Sequence, residues 1–208
     1  SSAKAAEGAD IAFICAFTTA TEGRDRVNLN VNQEDYMMAV TAVVNHSIPI
    51  VSLTVSPGTV VMPWHERVKA IVAVFQAGSN TGHAFADVLW GDHNPSAKSP
   101  VTFPLSVDDT ILPCEPRTGR LANAVEEIPH KENVVQAVKG ETVQCVYKER
   151  LFAGFPHYQG MEVLFPFGHG LSYTTFQYSG LEVCNSPDCP AACASAKVCV
   201  TAKLTNDG

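Results

Sequence analysis

The sequence has 208 residues, 46% of them hydrophobic, and a formal net charge of −7. This composition suits one globular domain of ordinary size plus a remainder, and the acidic balance provides no basic field that would attract DNA or RNA. No apolar run approaches the ~18–20 residues that span a bilayer. The chain starts without the features of a signal peptide and soon enters an apolar run, so we expect a fragment or a processed chain.

The first hundred residues alternate between two kinds of pattern. Short, continuously apolar runs predict buried strands, and segments with apolar residues at helical spacing predict helices. The predicted strands cover residues 9–17, 48–55 and 69–75, and the predicted helices cover residues 32–46 and 81–89. Elements that alternate at these lengths predict an α/β fold in which a mostly parallel sheet is sandwiched between helices. Such sheets bind ligands beyond the carboxyl ends of their strands, which makes the loop after residues 9–17 the first place to look for chemistry.

Several side chains carry more specific expectations. Asn32 is predicted to cap the first helix, whose apolar stripe contains Tyr36 and Val43 among others. Trp90 closes the second helix and is expected to lie in the core. Cys15 is expected to be a buried free thiol, because the strand around it is predicted to be covered on both faces.

The remainder of the chain changes in character. Residues 114–144 show little periodicity and predict an extended surface excursion. The alternation of apolar residues over 198–204 predicts one β-strand, which the turn signal Asn206-Asp207-Gly208 follows. Because a single strand is not stable alone, we expect residues from about 179 onward to begin a second, all-β domain.

The seven cysteines do not match a metal site. Four of them lie close together near the C-terminus, at Cys184, Cys189, Cys193 and Cys199. Their spacing is not the paired C-x-x-C of zinc ribbons and no histidine lies near them, so disulfides are favoured over a metal. Disulfides would indicate an oxidising, secretory route.

No cofactor is predicted from the glycine-rich loop at residues 78–82. The loop lacks the Lys-Ser/Thr ending of a P-loop and the spacing of G-x-G-x-x-G. A flavodoxin-like nucleotide-binding domain therefore has only the alternating elements in its favour.

Four segments in order carry a resemblance to a known family. They are TEGRDRVNL (21–29), VSLTVSPGTVVMPW (51–64), AGSNTGHAFADVLWGDHNPSAKSPVTFP (77–104) and LFPFGHGLSYTTF (164–176). Together they resemble the C-terminal domain of family 3 glycoside hydrolases, the β-glucosidase and β-xylosidase family. The resemblance implies an α/β sandwich domain over residues 1–178 and an incomplete fibronectin type III-like domain over residues 179–208.

The resemblance also implies where the chemistry lies. Retaining glycosidases use two carboxyl groups about 5–5.5 Å apart, one as nucleophile and one as acid and then base. In this family the nucleophile is an aspartate of an N-terminal TIM barrel, and the acid/base in many members is a glutamate just before an acidic-Arg pair. Glu22 of TEGRDR fits that description, and Gly23 beside it would let the loop reach the barrel. The alternative is a solvated loop carboxylate.

Four further residues are weighed for the substrate mouth. Arg24 is a candidate contact to a sugar hydroxyl, against a plain surface arginine. Trp64 is a candidate stacking platform for a sugar ring, against a core position. Asp25 and Arg26 are more consistent with a structural ion pair or a cap than with contact to the reacting bond.

The sequence thus predicts the C-terminal part of a retaining exo-β-glycosidase, most similar to β-glucosidases and inactive on its own. Its expected partners are the TIM barrel of the same protein and a β-linked glycoside, in an extracellular, secretory or vacuolar location. Two alternatives stay open: a β-xylosidase or other specificity, and a non-catalytic carbohydrate-binding or assembly module. The second has some support because residues 77–82 lack the acidic residue of the family's Pro-Gly-x-Glu-x-Gly.

Overall fold

The structure is a computed structural model that describes residues 2–22, 26, 28–45, 47–111, 149–184 and 198–208. The predicted excursion at 114–144 lies outside these residues. The chain divides into two compact units, which are Ser1–Ala86 with Lys98–His169, and Asp87–Ala97 with Gly170–Gly208. In the described part of the chain, no helix has the length and apolar character needed to cross a membrane.

The first unit contains a parallel sheet. Its strands among the described residues are β1 (Ala12–Phe17), β2 (Ile50–Val55) and β3 (Ala70–Val74), in the order β1-β2-β3. Both pairings are parallel, which confirms the predicted sheet, although each strand begins slightly later than predicted. β2, the central strand, is buried along nearly its whole length, as expected for an apolar run in a parallel sheet.

The helices of the described residues are α1 (Ser2–Ala5), α2 (Glu34–Val43) and α3 (Thr81–Trp90). Met37 and Val40 of α2 belong to the same hydrophobic core as Ile14 of β1. The predicted stripe is narrower than expected, because Tyr36 and Val43 are each 54% exposed.

The predicted Asn32 cap is wrong. The N-cap residue of α2 is Gln33, and its side chain makes no capping hydrogen bond. Asn32 Oδ1 instead accepts a hydrogen bond from Thr18 Oγ1 at 3.0 Å, and Gln33 Oε1 accepts one from the Phe17 backbone N–H at 2.9 Å. Both amides therefore tie the start of α2 to the end of β1, and this connection takes the place of a cap.

The prediction that β1 is covered on both faces is also wrong. Ile14 and Ala16 are buried, whereas Phe13, Cys15 and Phe17 on the other face are exposed. Cys15 is consequently an exposed free thiol, not the buried one predicted. Among the described residues, β1 lies at one edge of the sheet, and α2 packs against the face of β1 that carries Ile14 and Ala16.

Trp90 does not lie in the core as expected, since it is 73% exposed. The helix ends at Trp90, one residue after the predicted end. The prediction was therefore wrong only about which face of the helix is buried. Phe85 is the buried residue of α3. Trp90 follows it by five residues, which turns it about 140° away around the helix axis.

The last two segments that carry the family resemblance are hydrogen-bonded to each other in the first unit. The Phe103 backbone N–H donates to the Phe165 carbonyl at 2.8 Å, and the Ser99 N–H donates to the His169 carbonyl at 2.7 Å. The Phe165 ring stacks on the His169 ring with centroids 4.9 Å apart, so His169 is a packing residue. The glycine and aromatic pattern of these segments thus serves close backbone pairing.

The second unit contains an antiparallel pair, β4 (Phe176–Cys184) and β5 (Cys199–Asn206). The strand predicted at 198–204 is confirmed, and Cys184 and Cys199 are both disulfide-bonded. The predicted domain boundary between residues 178 and 179 falls within β4 and stays a prediction.

A β-bulge in β4 keeps the apolar residues of this pair on one face. Ser179 pairs with Lys203 and Glu182 with Thr201, so β4 carries one extra residue between these positions. The alternation of β4 changes phase there. As a result one face carries Phe176, Tyr178, Val183, Val200, Ala202 and Leu204 together with Asn206. The other face carries Gln177, Ser179, Glu182, Thr201, Lys203 and Thr205 together with the disulfide-bonded Cys184 and Cys199.

Gly180 lies in this bulge with a φ of +59°, a conformation that costs an L-residue roughly 1–2 kcal/mol. We expect Gly180→Ala to lower the free energy of unfolding by about this amount, measured by chemical denaturation. Gly82→Ala is the matched control, because Gly82 lies in α3 with open space at its Cβ position. It is expected to raise stability by up to ~1 kcal/mol. Equal effects at the two glycines would contradict the assignment of the bulge.

Candidate active site

Three loops leave the same edge of the parallel sheet. β1, β2 and β3 end at Phe17, Val55 and Val74, which are register partners. Beyond these ends the Thr18 N–H donates to the Val55 carbonyl and the Ser56 N–H to the Val74 carbonyl, each at 3.1 Å. The loops that follow the three strands therefore start side by side at the carboxyl edge, where α/β sheets bind ligands.

Glu22 lies on the first of these loops and is exposed. That this loop carries the chemistry stays a prediction. Arg24, the predicted contact to a sugar hydroxyl, lies outside the described residues, as does Asp25. A shared site of Glu22 and Arg24 therefore stays a prediction.

The loop of Glu22 is attached to the loop that follows β2. The Val61 backbone N–H donates to the Leu29 carbonyl at 2.9 Å. Arg26 Nη1 donates to the Thr59 carbonyl at 3.2 Å. Two connections of different kinds, one between backbones and one from a side chain, thus hold the two loops together.

Arg26 is partly buried, and its environment differs from that of a surface arginine. Burial lowers the pKa of its guanidinium. Nη2 is buried without a hydrogen-bond partner among the described residues. The ion pair or cap expected of Asp25 and Arg26 stays a prediction, because Asp25 lies outside the described residues. The hydrogen bond that the structure shows for Arg26 goes to a backbone carbonyl.

Trp64 is fully buried in the core of the first unit, together with Val60 and Met62 from the same loop. Neither face of its ring is open to a sugar in this structure. Of the two positions considered for Trp64, a sugar-stacking platform and a core position, the structure shows the core position. The indole Nε1 is buried and has no hydrogen-bond partner in the described part of the chain. Trp64 therefore holds the second loop by packing.

Glu34, in the first turn of α2, was not singled out from the sequence. Burial raises the pKa of its carboxyl, and the neighbouring charge of Asp35 raises it further. Its Oε2 atom is buried without a hydrogen-bond partner among the described residues. Acidic residues in a first turn ordinarily interact with the helix dipole, so nothing in the sequence indicates that this one is partly buried.

The described residues contain no group of three or more His, Cys, Asp or Glu side chains that could hold a metal ion. Glu22 places a carboxylate on the first loop at this edge, and a carboxyl group can take part in proton transfer. An exposed carboxylate on a loop becomes an effective general acid only when another surface partly buries it.

The sequence matches the glycosyl hydrolase family 3 C-terminal domain over residues 1–173. Among curated proteins, the thermostable β-glucosidase B of Acetivibrio thermocellus is 35% identical over 186 residues, which are 86% of this chain and 22% of that protein. The probable β-glucosidase H of Emericella nidulans is 36% identical over 186 residues, 85% of this chain and 19% of that protein.

Solved structures give the same result. The β-glucosidase DesR of Streptomyces venezuelae superimposes with a TM-score of 0.72 and 27% identity, over 99% of this chain and 23% of its own. β-Glucosidase 3B of Thermotoga neapolitana gives a TM-score of 0.69 and 29% identity, over 100% of this chain and 27% of its own. The chain therefore spans about a quarter or less of each of these proteins. With the family match over residues 1–173, these similarities show that the chain belongs to glycosyl hydrolase family 3, as its C-terminal domain.

Proposed function

We propose that this chain is the C-terminal part of a retaining exo-β-glucosidase and that it supplies Glu22 as the acid/base. The nucleophile would come from an N-terminal TIM barrel of the same protein, as the resemblance implies. The substrate would be a β-linked glucoside. The observation that carries the proposal is the placement of Glu22: it is exposed on a loop at the carboxyl edge of the sheet, inside the region that matches the family.

The proposed chemistry has two steps. In the first, the carboxyl group of Glu22 donates its proton to the glycosidic oxygen while the barrel carboxylate attacks the anomeric carbon and the aglycone leaves. In the second, the Glu22 carboxylate accepts a proton from water, and that water displaces the barrel carboxylate.

The test compares the full-length protein that carries this chain with the chain alone. The full-length protein is expected to hydrolyse a nitrophenyl β-glucoside with retention of anomeric configuration, followed by NMR of the first-formed glucose anomer. The chain alone is expected to give no turnover, because it lacks the second carboxylate. Turnover by the chain alone would contradict the proposal, as would inversion in the full-length protein. A full-length protein that binds glucosides without hydrolysing them would support the carbohydrate-binding module instead.

The same proposal includes a secretory, vacuolar or extracellular location. Its support is that Cys184 and Cys199 are disulfide-bonded, since such bonds persist in oxidising compartments.

A further inference from the structure

We propose that Arg26 is the positioning residue of the loop that carries Glu22. This inference rests on the proposed function, because it concerns how the acid/base reaches the glycosidic oxygen. Arg26 follows Glu22 by four residues, and its guanidinium reaches away from its own loop to the Thr59 carbonyl, which belongs to the loop after β2.

The acceptor of this hydrogen bond is itself held in place. Thr59 Oγ1 donates to the Thr102 carbonyl at 3.0 Å, and the next residue, Val60, is fully buried. Thr102 Oγ1 in turn accepts a hydrogen bond from the Phe167 N–H at 3.3 Å. Arg26 is therefore anchored to a part of the first unit that side-chain bonds and core packing keep fixed.

The burial of Arg26 indicates that this bond has a positional role. Burying a guanidinium disfavours its charged form, and burial lowers the pKa of Arg26 accordingly. An apolar side chain would cover the same surface without this cost. Arginine offers instead N–H donors of fixed direction at the end of a long side chain. Such a donor can reach the carbonyl on the neighbouring loop and form a hydrogen bond with it.

A positioning role predicts a particular kinetic pattern. A displacement of about 1 Å in a catalytic group can cost ~100-fold in rate, whereas a residue that does not touch the substrate leaves ground-state binding largely intact. Loss of the Arg26 anchor should therefore lower kcat more than it changes KM. The loss should also be larger for substrates that need protonation of the leaving group.

The experiment measures kcat and KM of the full-length protein with Arg26→Met and Arg26→Lys. Two substrates are compared. An alkyl β-glucoside has a poor leaving group that must be protonated, and a dinitrophenyl β-glucoside releases dinitrophenolate without help from an acid. Arg26→Met is expected to lower kcat for the alkyl glucoside by roughly 10- to 100-fold and to change its KM by less than about 3-fold. Arg26→Lys should recover part of this loss, because an ammonium group can still donate one hydrogen bond to the carbonyl.

Arg67 provides a matched control. Its Nη1 also donates to a backbone carbonyl at 3.2 Å, that of Met38, but it joins the 3-10 helix His65–Arg67 to α2. Arg67→Met should leave the ratio of the two kcat values unchanged. Amide hydrogen exchange supplies a second readout: the Val61 N–H, bonded to Leu29, should exchange faster in Arg26→Met than in Arg67→Met.

The outcomes separate this inference from the proposed function. If Glu22→Gln lowers activity on the alkyl glucoside but Arg26→Met does not, the positioning role is overturned and the acid/base assignment stands. Equal losses in kcat/KM, which reports the first step, on both substrates would also overturn it, as would no recovery with lysine, since either result indicates a general structural defect. If Arg26→Met does not fold, the lysine variant and its substrate ratio decide the question.

Discussion

Replacing Glu22 by glutamine in the full-length protein is expected to lower kcat for an alkyl β-glucoside by about 10²–10⁴-fold. This is the usual contribution of a positioned general acid, and glutamine keeps the shape of the side chain while removing its proton exchange. The first step on a dinitrophenyl glucoside should be largely spared, because that leaving group needs no proton. Steady-state and burst-phase rates on the two substrates are the measurement.

Added azide gives this prediction a sharper test. Azide needs no general base, so it should capture the glycosyl-enzyme of Glu22→Gln and release the β-glucosyl azide. Glu7→Gln is the control, because Glu7 is also exposed but precedes β1. If Glu22→Gln hydrolyses the alkyl glucoside like the unmodified protein, Glu22 is not the acid.

Replacing Trp64 by alanine is expected to destabilise the domain by about 3–5 kcal/mol, the range for removing a large, fully buried aromatic side chain. The loss follows from the cavity left among Val60, Met62 and the rest of the core cluster. Chemical denaturation of the full-length protein, followed by a signal from this domain, is the measurement. A loss below ~1 kcal/mol would mean that the core can close around the site.

Trp64→Phe separates packing from sugar stacking. The indole Nε1 has no partner among the described residues, so phenylalanine removes no observed hydrogen bond and should cost only about 1–2 kcal/mol. A buried packing residue should leave KM for the glucoside unchanged in this variant. A large rise in KM with little loss of stability would show instead that the ring contacts the sugar in the full-length protein.

The sheet could be predicted because the sequence patterns that indicate it are local. The continuous apolar runs at β1, β2 and β3 and the helical spacing between them are each legible within a dozen residues, and they leave a parallel arrangement as the simple solution. The extent of coverage is not local. Cys15 and Phe17 look like core residues in the sequence, and they are exposed because no described element packs against that face of the edge strand.

The start of α2 shows a second limit. Asn32 and Gln33 both have side chains that can accept hydrogen bonds, and a capping rule assigns such a side chain to its own helix. The competing donors, Thr18 Oγ1 and the Phe17 N–H, are more than a dozen residues earlier in the chain. A tertiary contact of this kind becomes visible only when the end of β1 and the start of α2 are seen side by side.

The site divides in the same way. Glu22 was found through the resemblance carried by TEGRDR, and composition or periodicity alone would not have distinguished it from any other loop carboxylate. For Arg26 the sequence predicts an ion pair or a cap with Asp25, which lies outside the described residues, and the acceptor that the structure shows is a backbone carbonyl. Every residue has such a carbonyl, so the sequence contains no mark of this partner.

The bulge in β4 has a consequence for how this part of the protein can change in length. Insertions and deletions are usually tolerated in turns and loops. The extra residue near Gly180 and Leu181, by contrast, lies inside a strand. Deleting one residue there would restore even alternation but turn either Phe176 and Tyr178 or Val183 toward the polar face. Variants of this chain should therefore differ in length outside β4. A one-residue gap at this position of an alignment would indicate either an alignment error or a strand whose apolar pattern has shifted by one residue.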